Sequence, residues 1–136
     1  MSESEKANLL LVDDRPENLL ALESLLEDVE CTVFTATSGH EALRLVLKHD
    51  FALVLLDAQM PEMDGFEVAK LMRGTQEAKH VPIIFVTALS KEPKHIFQGY
   101  ETGAVDYLFK PLEPDILRSK VQVFIELHRQ KKLLET

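Results

Sequence analysis

Four charged side chains have the types and positions that phosphoryl transfer requires. Each stands at the end of an apolar run typical of a β-strand: Asp13, Asp14, Asp57 and Lys110. The carboxyl-terminal edge of an open parallel sheet is where such folds bind ligands, so residues far apart in the sequence converge there. Two carboxylates roughly 5 Å apart, at an effective dielectric constant near 20, repel each other by about 3 kcal/mol. The acidic residues therefore need a cation, and a hard divalent ion with oxygen ligands, Mg²⁺ above all, suits them.

The size and composition of the chain exclude several other classes of function. With 136 residues, of which 46% are hydrophobic, the sequence fits one compact domain with a full core. The formal net charge of −8 argues against direct binding of nucleic acid through its phosphate backbone. Cys31 is the only cysteine, which excludes an internal disulfide and indicates a reducing, cytoplasmic location. The longest apolar run, Phe51–Leu56, is far shorter than the roughly 18 residues of a membrane helix, so we expect no membrane association.

Apolar runs and amphipathic stretches alternate along the chain. Five short runs predict strands: Asn8–Val12, Thr32–Ala36, Phe51–Leu56, residues 81–86 and residues 105–109. Several of these runs are continuous hydrophobic segments, as expected of parallel strands that are covered on both faces. Between the first two runs, Leu19, Leu22 and Leu26 recur at helical spacing. The alternation predicts an α/β fold with right-handed βαβ crossovers.

Local signals mark the helix boundaries. Three residues predict helix starts, by a first-turn proline, a capping box and an acidic cap: Pro16, Ser38 and Asp64. The fourth helix, at about residues 91–101, is expected to be short or mobile, because Pro93 and Gly99 interrupt it.

Four segments together resemble the receiver domain of two-component response regulators. They are LLVDD at 10–14, LLDAQMPEMDG at 55–65, VTA at 86–88 and YLFKP at 107–111. Each segment alone is a weak signal, but all four occur in the order and at the intervals of that family. The resemblance covers about residues 8–127.

The resemblance implies a flavodoxin-like (βα)5 sandwich of three layers, with five parallel strands in the order 2-1-3-4-5. In that order the first and third strands are neighbours, which places Asp13 and Asp14 beside Asp57. Residues 8–127 would form the receiver. Residues 128–136 would form a helical extension that projects beyond the domain and links it to an output domain.

The resemblance also implies a role for each residue of the metal site. Asp14 corresponds to the direct Mg²⁺ ligand, and Asp13 to the acid that holds a metal-bound water. Asp57 and the backbone carbonyl of Gln59 complete the protein ligands, and Mn²⁺ can substitute for Mg²⁺. In the same family, the side chains at Gln59 and Leu89 tune the lifetime of the phosphorylated state.

Asp57 itself corresponds to the phosphoacceptor, whose carboxylate becomes an acyl phosphate. Lys110 would neutralise the phosphoryl oxygens, and the Thr87 hydroxyl would donate to one of them after transfer. Tyr107 corresponds to the aromatic switch residue, which moves inward when Thr87 is drawn to the phosphate. The surface that then changes is formed by the fourth helix, the fifth strand and the fifth helix.

The implied partners are a sensor histidine kinase or a histidine phosphotransfer protein upstream, and an output domain or partner protein downstream. The domain would not be an enzyme beyond its own phosphorylation and dephosphorylation. Apolar residues on the last helix predict a homodimer through a short heptad seam that Gln130 interrupts: Val123, Leu127 and Leu134.

Other classes of function stay open at this point. A free-standing receiver that acts as a phosphorelay intermediate would carry the same motifs. An aspartyl-nucleophile, Mg²⁺-dependent hydrolase normally has a second acid two residues after the nucleophile, where this chain has Gln59. A flavin-binding module would need a phosphate loop rich in Ser, Thr and Gly after the first strand, where the chain has acidic Asp14 and Glu17.

Overall fold

The computed structural model describes residues 6–88 and 93–135, in which strands and helices alternate. The five strands are β1 (Asn8–Val12), β2 (Thr32–Ala36), β3 (Phe51–Leu56), β4 (Ile83–Thr87) and β5 (Asp106–Phe109). The five helices are α1 (Pro16–Leu25), α2 (Gly39–Lys48), α3 (Gly65–Arg73), α4 (Pro93–Glu101) and α5 (Pro114–Glu135).

The strands form one parallel sheet in the order β2-β1-β3-β4-β5. This order confirms the flavodoxin-like fold that the sequence predicted. At the end of β1, Val12 is in register with Ala36 of β2 on one side and with Leu56 of β3 on the other. The strand order reverses at this point, and open α/β sheets bind their ligands in the crevice that such a reversal creates.

Side chains of the sheet alternate between two hydrophobic cores, one on each face. Leu9 and Leu11 of β1 pack with residues of α1 and α5, among them Leu19 and Leu117. Leu10 and Val12 point the other way and pack with residues of α2 and α3. Every residue of β3 is buried. The sheet is therefore covered on both faces, as continuous hydrophobic runs predict.

The boundaries of two strands differ from the sequence prediction. β4 begins at Ile83 rather than at residue 81, because Pro82 has no amide hydrogen to donate to the strand ladder. The strand also extends one residue further and takes in Thr87. β5 begins one residue later than predicted, at Asp106.

The predicted helix starts are confirmed. The Ser38 hydroxyl accepts a hydrogen bond from the Glu41 amide at 3.1 Å, and a carboxylate oxygen of Asp64 accepts one from the Glu67 amide at 2.9 Å. Pro16 is the first residue of α1. α4 is short, as expected, but the proline that was expected to interrupt it is instead its first residue, where a missing amide hydrogen costs nothing.

α5 continues as one helix through the segment that was expected to project beyond the domain. Its 22 residues span about 33 Å. At Asp50, just before β3, the carboxylate lies 3.5 Å from Nε2 of His128 and 2.5 Å from Nζ of Lys132. The extension therefore stays against the amino-terminal edge of the sheet for at least one further turn. Among the described residues, no helix is both long enough and apolar enough to cross a membrane, and this includes α5, the longest.

Candidate functional site

Backbone hydrogen bonds between strands fix the residues that end them. The Asp57 amide donates to the Val12 carbonyl at 3.0 Å, so the ladder between β1 and β3 reaches the residue after β3. The Lys110 amide likewise donates to the Thr87 carbonyl at 3.0 Å. Each side chain therefore leaves the sheet from a position with little backbone freedom, which is what a preorganised site requires.

The structure brings three carboxylates together at the carboxyl-terminal edge of the sheet. One oxygen each of Asp13, Asp14 and Asp57 lies within 4.8 Å of the others. Asp13 and Asp57 are buried, and Asp14 is half-buried at the mouth of the site. An all-oxygen set of this kind fits a hard divalent cation such as Mg²⁺.

The Asp57 carboxylate lies in a mixed electrostatic environment. Burial raises the pKa of this carboxyl group above its ordinary value, and the neighbouring charge of Asp13 raises it further. Hydrogen bonds from the Gln59 amide, at 3.1 Å, and from the Thr87 hydroxyl oppose that shift, as does the positive charge of Lys110. The interactions that stabilise the ionised Asp57 carboxylate therefore do not fully offset its burial, and a bound cation would supply the missing positive charge.

Asp13 joins the site to two other elements. The Lys110 ammonium crosses from the end of β5 and lies 3.2 Å from Oδ2 of Asp13. The Arg15 amide donates to Oδ1 at 3.0 Å, and Nδ2 of Asn18 lies 3.3 Å from Oδ1 and 3.1 Å from Oδ2. Sequence reasoning missed Asn18. Its position in the first turn of a helix that follows the acidic pair was the available signal.

The loop after β3 passes close to Asp57 and borders a cleft. A Cβ atom at Gly65 would lie 2.2 Å from the carbonyl oxygen of Asp57, so only glycine lets α3 begin this close to the site. Beside the loop is an open cleft of about 500 Å³, lined by Gln59, Met60 and Gln98 among others. The Gln59 side chain is exposed here. Leu89, the second residue expected to tune phosphate lifetime, lies outside the described residues.

Comparison with known proteins identifies the family. The family described as "Response regulator receiver domain" matches residues 9–122. The chain is a member of that family. The resemblance seen in the four sequence segments is thereby confirmed over most of the chain, and the carboxylates of this receiver lie where the family's phosphoacceptor site is expected.

Individual relatives support the assignment. The receiver is 36% identical over 134 residues to a probable cyclic di-GMP phosphodiesterase of Vibrio cholerae, a match that covers 98% of this chain and 30% of the phosphodiesterase. Its fold is similar to that of chemotaxis protein CheY4 of Vibrio cholerae, with a TM-score of 0.81, 33% identity and coverage of 88% of this chain and 98% of that one. It is also similar to the receiver domain of sensor histidine kinase PA1611 from Pseudomonas aeruginosa, crystallised with a magnesium ion in the active site cleft. That match has a TM-score of 0.80, 27% identity and coverage of 89% and 98%.

In this receiver the ring of Tyr107 lies inside the fold, with 8% of the residue exposed. It stacks on Phe109, with ring centroids 5.4 Å apart and planes 5° from parallel, and it contacts Phe85 and Tyr100. A Cβ atom at Gly99 would lie 2.3 Å from the Tyr107 hydroxyl oxygen. The glycine that weakens α4 therefore provides the recess that the buried tyrosine fills.

Replacing Asp57 with asparagine should stabilise the receiver at neutral pH when no divalent cation is present. Because folding raises the pKa of this carboxyl group above 3.8, the folded protein binds more protons than the unfolded chain between the two values. Stability therefore falls as pH rises through the raised pKa, and a neutral amide escapes that loss. Thermal melts at pH 7 should show a higher midpoint for Asp57→Asn than for wild type, and the difference should vanish below about pH 4.

Asp28→Asn is the matched control for this experiment, since it removes one negative charge at an exposed position between α1 and β2, outside the acidic site. Its melting midpoint should stay close to that of wild type at both pH values. A gain as large as that of Asp57→Asn would assign the effect to net charge rather than to the buried carboxylate.

Gly99→Ala should drive the Tyr107 ring out of its recess, because the added methyl group would overlap the phenol oxygen. Burial raises the pKa of the Tyr107 phenol above 10.0, so its exposure to solvent should bring the pKa back towards that value. The chain has two tyrosines, and ultraviolet titration in a Tyr100→Phe background isolates this one. Gln98→Ala, at an exposed position of the same helix, should leave the titration unchanged. The same curve for Gly99→Ala and wild type would show that α4 moves instead.

Proposed function

We propose that this receiver accepts a phosphoryl group on Asp57 from the phosphohistidine of a sensor histidine kinase or a histidine phosphotransfer protein. The observation that carries the proposal is the buried carboxylate of Asp57, which shares one site with two further acids and with Lys110. Membership of a signalling family supports a phosphoacceptor role rather than catalysis on a separate substrate. The hydrolase alternative has no comparable support.

The transfer needs little from the protein beyond position and charge. An oxygen of Asp57 bonds to phosphorus as the bond from phosphorus to the donor nitrogen breaks, and the electron pair leaves with the imidazole. Lys110 neutralises charge on the phosphoryl oxygens. The Thr87 hydroxyl, which already bonds the Asp57 carboxylate, donates to a phosphoryl oxygen after transfer. These roles match the general demands of phosphoryl transfer.

Asp14 would hold Mg²⁺ directly, with Asp57 and the backbone carbonyl of Gln59, and Asp13 would hold it through a water. The clustered oxygens support this assignment, as does the magnesium ion in the similar PA1611 receiver. When bound, Mg²⁺ or Mn²⁺ supplies positive charge that offsets the carboxylates and the incoming phosphoryl group. The exposed side chain of Gln59 and that of Leu89 would then set how fast water removes the phosphate.

Phosphorylation would change the surface formed by α4, β5 and α5. Thr87 and Tyr107 lie on paired strands, so a hydroxyl drawn to the phosphate affects the packing around the tyrosine. Three large apolar residues on this surface are about half exposed or more: Phe97, Tyr100 and Val105. Exposed apolar side chains grouped in this way mark a contact site for an output domain or partner protein.

Residues 8–127 would act as the receiver and residues 128–136 as a helical linker to an output domain. α5 runs through this boundary without a break. The similar phosphodiesterase matches 98% of this chain and continues far beyond the match. The single cysteine supports a reducing, cytoplasmic location.

A second copy of this chain is the partner that α5 fits best. Leu117, Val121 and Ile125 bury one side of the helix. A separate apolar stripe, here called the α5 seam, repeats at intervals of seven, four and seven residues, and its members are 50% to 87% exposed: Ile116, Val123, Leu127 and Leu134. That spacing fits a heptad seam, interrupted at Gln130. The structure adds Ile116 to the residues that the sequence suggested.

Phosphorylation of this receiver by acetyl phosphate should need both Mg²⁺ and Asp57. Intact-mass measurement should show one added phosphoryl group on wild type, none on Asp57→Asn, and much slower addition on Lys110→Ala because the positive charge is lost. Asp28→Asn keeps the site intact and should be phosphorylated at the wild-type rate. Undiminished uptake by Asp57→Asn would reject the proposed phosphoacceptor.

Leu127→Glu should abolish self-association, since it places a charge in the centre of the α5 seam. Sedimentation with and without beryllofluoride measures the effect. Leu47→Glu is the control, because Leu47 on α2 is 51% exposed against 56% for Leu127. Leu47→Glu should associate like wild type. If wild type is a monomer in both conditions, the seam does not pair two copies and α5 serves as a connector alone.

A further inference from the structure

The chemistry above leaves Asn18 without a role, although its side chain touches the acidic cluster. Nδ2 of Asn18 lies 3.1 Å from Oδ2 and 3.3 Å from Oδ1 of Asp13. An ionised carboxylate only accepts hydrogen bonds, so the amide nitrogen of Asn18 must be the atom that faces it. Asn18 lies in the first turn of α1, which places a neutral donor beside a buried charge.

The two oxygens of Asp13 have different sets of donors. Oδ1 accepts from the Arg15 amide and from Asn18. Oδ2 accepts from Asn18 and from Lys110, and these are its two donors among the described residues. Asp13 is 5% exposed, so apart from the metal-bound water of the proposed function, an oxygen that lost its donors would have little water to replace them.

Lys110 is needed in two places. In this structure its ammonium group bonds Oδ2 of Asp13, and in the proposed function it neutralises phosphoryl oxygens on Asp57. We propose that Asn18 is a positioning residue that keeps Oδ2 of Asp13 hydrogen-bonded and so frees Lys110 for the phosphoryl group. This inference rests on the proposed function and explains how one lysine serves both carboxylates in turn.

The amide of Asn18 suits this task because it is neutral. A second cation in its place would compete with the metal ion for the acidic cluster, and a carboxylate would add to the repulsion. The Arg15 amide cannot replace Asn18, since it reaches Oδ1 only. The amino-terminal end of α1 thus binds both oxygens of Asp13: Oδ1 through the Arg15 amide and the Asn18 side chain, and Oδ2 through the Asn18 side chain.

Asn18→Leu tests the proposal, because leucine has nearly the same size and shape but donates no hydrogen bond. With acetyl phosphate and Mg²⁺, phosphorylation should slow about tenfold, the effect of one hydrogen bond to a charged group. In a Lys110→Ala background the same substitution should cause no further slowing, since the lysine it serves is gone. A general loosening of α1 would slow both backgrounds equally, and that result would overturn the proposal.

Three measurements complete the test. If the leucine variant folds poorly, Asn18→Ala replaces it and should show the same tenfold slowing. Leu20→Ala, at a position of α1 that is 67% exposed, should keep the wild-type rate. Mg²⁺ affinity should change much less than the rate, and a tenfold loss of affinity would overturn the proposal by placing the effect on the metal. Phosphorylation lost in Asp57→Asn but unchanged in Asn18→Leu would reject this inference and leave the proposed function intact.

Discussion

Three carboxylates at one edge of the sheet repel one another, and the rest of the structure must offset this repulsion. Oxygens of Asp13, Asp14 and Asp57 lie within 4.8 Å of one another, and two of the three residues are buried. Charges this close disfavour the folded state by about 3 kcal/mol per pair at an effective dielectric constant near 20. The two hydrophobic cores must supply the compensating stability, and the strand ladder must keep the acids from moving apart. A cation bound among the three carboxylates relieves this repulsion.

Local features of the fold were predictable from the sequence because their causes are local. Periodic apolar residues, Pro16, Ser38 and Asp64 each act within a few residues of their own position, and the structure confirms them. Strand order was a different matter, since the spacing of the apolar runs allows several sheets. The order 2-1-3-4-5 came from the family resemblance, and it decided that the acids after β1 and β3 would meet. The start of β4 was missed by two residues because the apolar run continues through Pro82, which cannot join the ladder.

Features that depend on contacts between distant residues were beyond the reach of sequence patterns. From the sequence, Gly99 only predicts a less stable helix. The position of Tyr107 shows that the missing side chain at Gly99 leaves space for the tyrosine ring. Asn18 reads as an ordinary polar residue until its amide is seen on Asp13. The end of α5 looked like a projecting tail because its contact, Asp50, lies far back in the sequence. In each case the role of a residue depends on a contact with another residue that local sequence patterns do not identify.

The geometry also limits the routes by which the site can affect the surface. β3 begins after Asp50 and ends before Asp57, but it is buried throughout and paired on both sides, so it is poorly suited to move. The carboxyl-terminal end of α4 is held as well, since the Arg73 guanidinium donates to the carbonyls of Thr102 and Gly103 at 3.0 and 2.9 Å. Between these fixed points lies the contact of Gly99 with Tyr107. In the proposed function, a change that begins at Thr87 would therefore reach the surface most directly through the contact between the Tyr107 ring and α4, while the sheet keeps the carboxylates in place.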